Sequence, residues 1–235
     1  MKKIFTLGLI LGFSRVSRAQ TCDGYWIMHD SSRAVFGEYD HTGRPVGKDI
    51  FLVSQVRGNG HSDSVRVLKE GFNRRGILVV TEEGYVQCRR GILWLDIRLI
   101  PIAMFLEKIK NVQVRAEPAV LLYPAIMQVG DSLDDGFTHF TVFWHGKALS
   151  TLDLAVTDRR VEGWDTLRLP IKTVIALRIS YKVRARTTLM GLGIPVLFRY
   201  TEWFAPGFGL VKDESVSRKG RVNRFEMLVS MRNYP

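Results

Sequence analysis

The 235-residue sequence predicts a mainly β fold built from an antiparallel sheet. Three observations predict it. Apolar and polar residues alternate with period two along most of the chain, the pattern of strands that bury one face. Short polar turns that end in glycine recur between the alternating runs. No Ser/Gly/Pro-rich linker or low-complexity run interrupts the sequence, which places one β-rich domain over residues 20–235.

The N-terminus has the three parts of a secretory signal over residues 1–19: Lys2 and Lys3, the apolar run from Ile4 to Phe13, and small residues at Ser17 and Ala19. The apolar run falls short of the about 20 residues that a membrane anchor needs, so no span is predicted after cleavage. Ala19-Gln20-Thr21-Cys22 lacks the residues that precede a lipidated cysteine. The expected location is the periplasm or another exported compartment. There the only two cysteines, Cys22 and Cys88, read as one disulfide.

Tyr39-Asp40-His41-Thr42-Gly43-Arg44 is the first turn. Phe72-Asn73-Arg74-Arg75-Gly76-Ile77 and Val216-Ser217-Arg218-Lys219-Gly220-Arg221 repeat its pattern. Each sets a short polar side chain before a glycine, which is hairpin chemistry. Asp158-Arg159-Arg160-Val161-Glu162-Gly163 is a looser copy and predicts a further hairpin. Gly91 to Leu99 reads as a strand with Leu93, Leu95, Ile97 and Leu99 on one face. Phe137 to His145, Leu152 to Val156, Val174 to Val183 and Val196 to Trp203 read as further strands. One segment differs. Pro101 opens a run in which Ile102, Phe105, Leu106 and Ile109 have helical spacing, and a short helix is predicted near 101–110.

No chemistry-bearing motif stands out. His139 and His145 lie about 20 Å apart on one strand and cannot share an ion. Asp131, Asp134 and Asp135 lack the loop of an EF-hand and read as a turn. Gly43 to Asp49 is one residue short of a phosphate loop and has aspartate where Ser/Thr would hold magnesium. No Gly-x-Ser-x-Gly or His-Glu-x-x-His occurs. No catalytic residue, metal or cofactor is predicted. The formal charge of +11 is scattered in pairs such as Arg74-Arg75 and Arg159-Arg160. In an exported protein this points away from nucleic acid and toward anionic envelope components or a solvated surface.

Thr201-Glu202-Trp203-Phe204-Ala205-Pro206-Gly207-Phe208-Gly209-Leu210-Val211-Lys212 resembles the W-(Y/F)-A-P-G-x-G-L-V-K signature of an exported bacterial family of unknown function, the DUF3108-like proteins. Val129 to Gly136 is similar to that family's V-G-D-x-L-x-D-G element. The early Cys22, the Cys88 strand and Val161-Glu162-Gly163 occur in the same order. Pro170 to Ala176 departs from the pattern, lacking a glycine and a cysteine, and implies a different loop with no second disulfide. The resemblance implies an antiparallel sheet curled into an open or half barrel. It supplies no catalytic residues.

These readings describe an exported, non-enzymatic envelope protein whose curled sheet holds an apolar ligand such as a lipid or acyl chain. The candidate contacts are Leu189, Met190, Leu192, Ile194, Trp203, Phe204 and Phe208. Gly207 and Gly209 are expected to shape a turn, with Pro206-Gly207 as the central pair of a type II turn. Two other functions stay open: an assembly partner of another envelope protein, and a hydrolase with scattered catalytic residues.

Overall fold

The computed structural model describes residues 22, 24–58, 62–99, 112–189, 192–216 and 221–233. The proposed signal over 1–19, the helix near 101–110, the turn over 217–220 and Met190 lie outside these residues. The described residues form fourteen strands and two 3-10 turns. The strands are β1 (Arg33–Asp40), β2 (Pro45–Gly58), β3 (Ser62–Asn73), β4 (Leu78–Arg89), β5 (Ile92–Asp96), β6 (Val112–Ala116) and β7 (Val120–Pro124). They continue as β8 (Ser132–Leu133), β9 (Gly136–Trp144), β10 (Lys147–Arg168), β11 (Thr173–Leu189), β12 (Leu192–Ala205), β13 (Gly209–Val216) and β14 (Val222–Arg232).

All pairings are antiparallel, in the order β6-β9-β10-β11-β12-β13-β14-β1-β2-β3-β4-β5-β7, with β8 beside β10. The first and last strands of the chain pair along their length, from Arg33↔Arg232 to Asp40↔Arg224. The sheet curls into a barrel that is nearly closed, with one seam. Turn chemistry sets the hairpins. The Asp40 carboxylate accepts the Thr42 and Arg44 N–H groups, and Gly43 takes φ +80°. Asn73 Oδ1 accepts the Arg75 and Ile77 N–H groups, and Gly76 takes φ +73°.

The structure corrects three local expectations. Asp158 to Gly163 is not a hairpin but lies inside β10. Asp158 at φ +57° is taken up as a bulge, with the register shifting between Thr157 and Arg160 and again between Val161 and Gly163. The strand opened by Gly91 stops at Asp96, whose carboxylate accepts the Arg98 N–H and turns Ile97–Leu99 into a 3-10 turn. His145 is not in a strand: with Gly146 it makes a two-residue turn, both at positive φ.

One apolar core fills the barrel. Inward positions alternate along each strand, as with Leu152, Leu154 and Val156 on β10 and Val65 and Val67 on β3. The N-terminal segment is part of this core rather than of the sheet. Tyr25, Trp26, Ile27 and Met28 are all buried, the last three in a 3-10 turn. Trp26 packs against Phe36 and Phe51 with ring centroids 6.0 and 5.9 Å away. This segment plugs the barrel.

Candidate functional site

The signature turn receives the plug. Phe208 N–H donates to Ala205 O at 3.0 Å, closing a turn in which Gly207 has φ +69°. Gly209 follows at φ +113°. Trp26 N–H donates to Phe208 O at 3.0 Å, and Trp26 Nε1 donates to Leu210 O at 3.3 Å. Approach is so close that a Cβ on Gly24 would lie 2.5 Å from Gly207 O. Cys22 at the head of the plug is bonded to Cys88 on β4, with the two Cα atoms 5.9 Å apart.

Inside the barrel a small void of about 40 Å³ lies among the described residues Trp26, Phe51, Tyr123, Phe204 and the carboxyls of Glu202, Asp213 and Glu226. These acids belong to a row that crosses four strands. Glu202 faces Asp213, Asp213 faces Glu226, and Glu226 faces Glu38. Gly47 continues the row, and a Cβ there would sit 2.4 Å from Glu38 Oε2, so glycine makes the room for that carboxylate. Burial pushes Asp213 up to about 8, reinforced by the charge of Glu202. Burial, then Asp213, holds Glu226 well above the usual carboxylate range. In both, burial favours the protonated form.

Two cations balance the remaining acids. Lys69 Nζ is fully buried, 2.8 Å from Asp49 and 3.8 Å from Glu82. Burial alone would lower the Lys69 pKa, but Asp49, Glu82 and Glu226 outweigh it and raise it. Glu38, Asp49 and Glu226 can bring three carboxylate oxygens within 4.8 Å of one another. Lys69 lies beside Asp49, and Arg224 is 3.9 Å from Glu38, so protein cations already meet this charge.

Arg159 is the second cation and it closes the seam. Its Nη1 donates to Leu122 O on β7 at 3.1 Å and to Asp134 O at 3.0 Å. Its guanidinium lies 4.7 Å from the Tyr123 ring centroid, with Nη2 3.8 Å from Glu202. Tyr123 O–H donates to Glu202 Oε2 at 3.1 Å.

Of the candidate contacts, the described side chains Trp203, Phe204 and Phe208 take three different settings. Phe204 points into the barrel and stacks on Tyr123 at 4.9 Å. Trp203, its neighbour, points outward, as period two requires. Its Nε1 donates to Asp165 Oδ2 at 2.7 Å, and Lys212 Nζ lies 4.4 Å from its ring. Phe208 is buried in the signature turn with Lys172 Nζ 3.7 Å from its ring. Leu189 and Leu192 pair across the β11–β12 hairpin tip. That tip is about 36 Å along β12 from Trp203 at the usual rise. The side chains of Leu189, Leu192 and Ile194 lie outside the described residues.

A larger opening lies elsewhere, on the outer face of β9 to β12. It is a groove of about 640 Å³. Two cross-strand rows form its floor. One runs Phe137, Ala155, Arg184, Leu197; the next runs His139, Asp153, Arg186, Pro195. His139 Nδ1 and Asp153 Oδ1 are 2.6 Å apart. Glu117 flanks the β9 side, where its N–H donates to His139 O at 2.9 Å. The residues of the two rows, from Phe137 to Leu197, are spread over sixty positions of sequence, and strand register unites them.

The DUF3108-like family profile matches residues 32–228. The chain belongs to the DUF3108-like family. Solved structures share its fold. A Bacteroides fragilis protein, described as exported and as having a YmcC-like fold, superposes with a TM-score of 0.68 at 15% identity, over 87% of this chain and 96% of that one. A Parabacteroides distasonis protein described as a lipoprotein gives a TM-score of 0.70 at 16% identity, again over 87% and 96%. Comparison with curated proteins finds no match. In this DUF3108-like protein the family signature at Trp203–Lys212 is the socket of the N-terminal plug.

Proposed function

We propose that this DUF3108-like protein is an exported, non-enzymatic envelope protein that binds an apolar ligand such as a lipid through the outer face of its barrel. The observation that carries the reading is the size of the void that the described residues leave inside the barrel. A void of about 40 Å³ has room for about one water, not an acyl chain. The acids that line it are shut in by the plug, and the disulfide fastens the plug to β4. Export draws support from the signal-like residues 1–19, from the disulfide and from the descriptions of the two fold relatives. No helix among the described residues is long and apolar enough to cross a membrane.

Envelope fractionation with N-terminal sequencing tests the location: the mature chain should begin at or near Gln20. Native mass spectrometry of gently purified protein should then show a co-purifying lipid. Intact Met1 on cytoplasmic protein would overturn the export reading. A second reading, an assembly partner, is favoured by one observation: the curled sheet ends in the strands β6 and β7 at its seam. Co-purification of another envelope protein in place of lipid would select it.

A further inference from the structure

We propose that the groove on the outer face of β9 to β12 binds one anionic single-chain amphiphile, with its headgroup on Arg184 and Arg186. The chain would lie along Phe137, Ala155 and Leu197. The proposal deepens the outer-face reading above and rests on it.

The volume of about 640 Å³ is in the range of small-molecule sites. Phe137 is 64% exposed at its edge, a large apolar side chain open to solvent among the described residues. Arg184 and Arg186 stand two residues apart on the same face of β11, so their Cα atoms are about 7 Å apart. At that spacing two guanidinium forks can share one phosphate or carboxylate. Neither arginine has an ion-pair partner among the described residues. The acids of neighbouring β10 have closer partners, Asp153 with His139 at 2.6 Å and Asp158 with Lys182 at 2.8 Å, while Asp153 stands opposite Arg186 in register and Arg184 also acts on the Asp158 charge. Glu117 stands on the β9 side of the groove, three strands from the arginines. The groove thus sets two arginines among the apolar Phe137, Ala155 and Leu197, and an anionic head on a hydrocarbon chain complements both. A free phosphate would leave the apolar residues uncovered, and an uncharged detergent would leave the arginines unused.

Isothermal titration of the full mature chain can test this with three probes below their micelle-forming concentrations. They are lauroyl lysophosphatidylglycerol, lauroyl lysophosphatidylcholine and dodecyl maltoside. The wild type should favour the glycerol headgroup over choline by about tenfold or more, with the preference shrinking as salt rises. Arg184→Gln with Arg186→Gln should erase that preference and keep the weaker binding of all three. Phe137→Asn should weaken all three by about the same factor. Its side chain is exposed, so an unchanged melting temperature certifies the fold. Equal binding of all three probes by the wild type, or no binding, overturns the proposal. A preference that survives in the double arginine variant also overturns it, but leaves an outer-face site standing. Ligand-induced protection of residues 24–28 in hydrogen exchange would put the ligand in the lumen and overturn both readings.

Discussion

Raising the pH from 5 to 7 should destabilise this protein, and the carboxyls in the lumen set the sign. Burial, reinforced by Glu202, pushes Asp213 up to about 8 from an ordinary 3.8. Burial raises Glu82 from 4.5 to about 7, with Lys69 opposing. Glu226 is raised further by burial and then by Asp213. Each keeps its proton in the folded chain at a pH where the unfolded chain has lost it. The stabilisation is complete below the unfolded pKa of about 4 and is lost as the pH climbs through the folded value. One such proton is worth about 1.4 kcal/mol per pH unit, so a single group loses about 3 kcal/mol from pH 5 to 7. For a chain of this length that is about 6–12 °C of melting temperature. Surface charge acts the other way: acidification adds positive charge to a protein that is already basic. Scanning calorimetry at constant ionic strength, from pH 5 to 8, measures the slope. Asp213→Asn with Glu226→Gln installs neutral amides of similar shape and should remove most of it. A wild-type melting temperature that is flat or rises from pH 5 to 7 would refute the reasoning, as would a double variant with the full slope.

Serine at Cys22 and Cys88 should cost about 4 kcal/mol in the chain-entropy treatment of a loop of this length, read by urea denaturation; an unchanged midpoint would mean the plug holds without its bond. Gly207→Val and Gly209→Val should each cost roughly 1–3 kcal/mol by strain at positive φ, seen as a lower melting temperature. If both melt like the wild type while abolishing ligand binding, the turn is a functional site instead. Arg159→Met should cost about 3–5 kcal/mol, because it leaves Glu202 buried without its cation. Hydrogen exchange should then quicken first in β7, where Leu122 O loses its donor.

Period two and turn residues made the strand content legible. Asp40 and Asn73 cap their hairpins with the side-chain bonds their types favour. The isolated cysteines were legible for a different reason: two of them in an exported chain leave one pairing. Asp158 misled because the same left-handed residue that ends a hairpin can also make a bulge, and only the pairing of β10 with β11 tells them apart. The plug was illegible because Tyr25 to Met28 is an apolar run with no strand period, and nothing local says it fills a barrel. The acid row escaped for a related reason. Glu38, Glu202, Asp213 and Glu226 look like ordinary polar positions of alternating strands until cross-strand register puts them side by side. The groove, too, exists only in register: Phe137, Ala155, Arg184 and Leu197 come from four strands.

The protonated acids of the lumen also change how the protein looks from a distance. The formal charge of +11 counts every carboxylate as ionised. Burial shifts Asp213 and Glu226 toward their protonated forms, so near neutral pH the folded particle is more positive than its composition states. It should migrate faster toward a cathode, and be held longer on a cation exchanger, than its sequence implies. Unfolding would release those protons and lower the positive charge, so the folded and unfolded chains should separate by electrophoresis on magnitude of charge as well as on size. An anionic polymer or bilayer leaflet meets the folded form as the stronger polycation, and would draw it to the surface before any groove is filled.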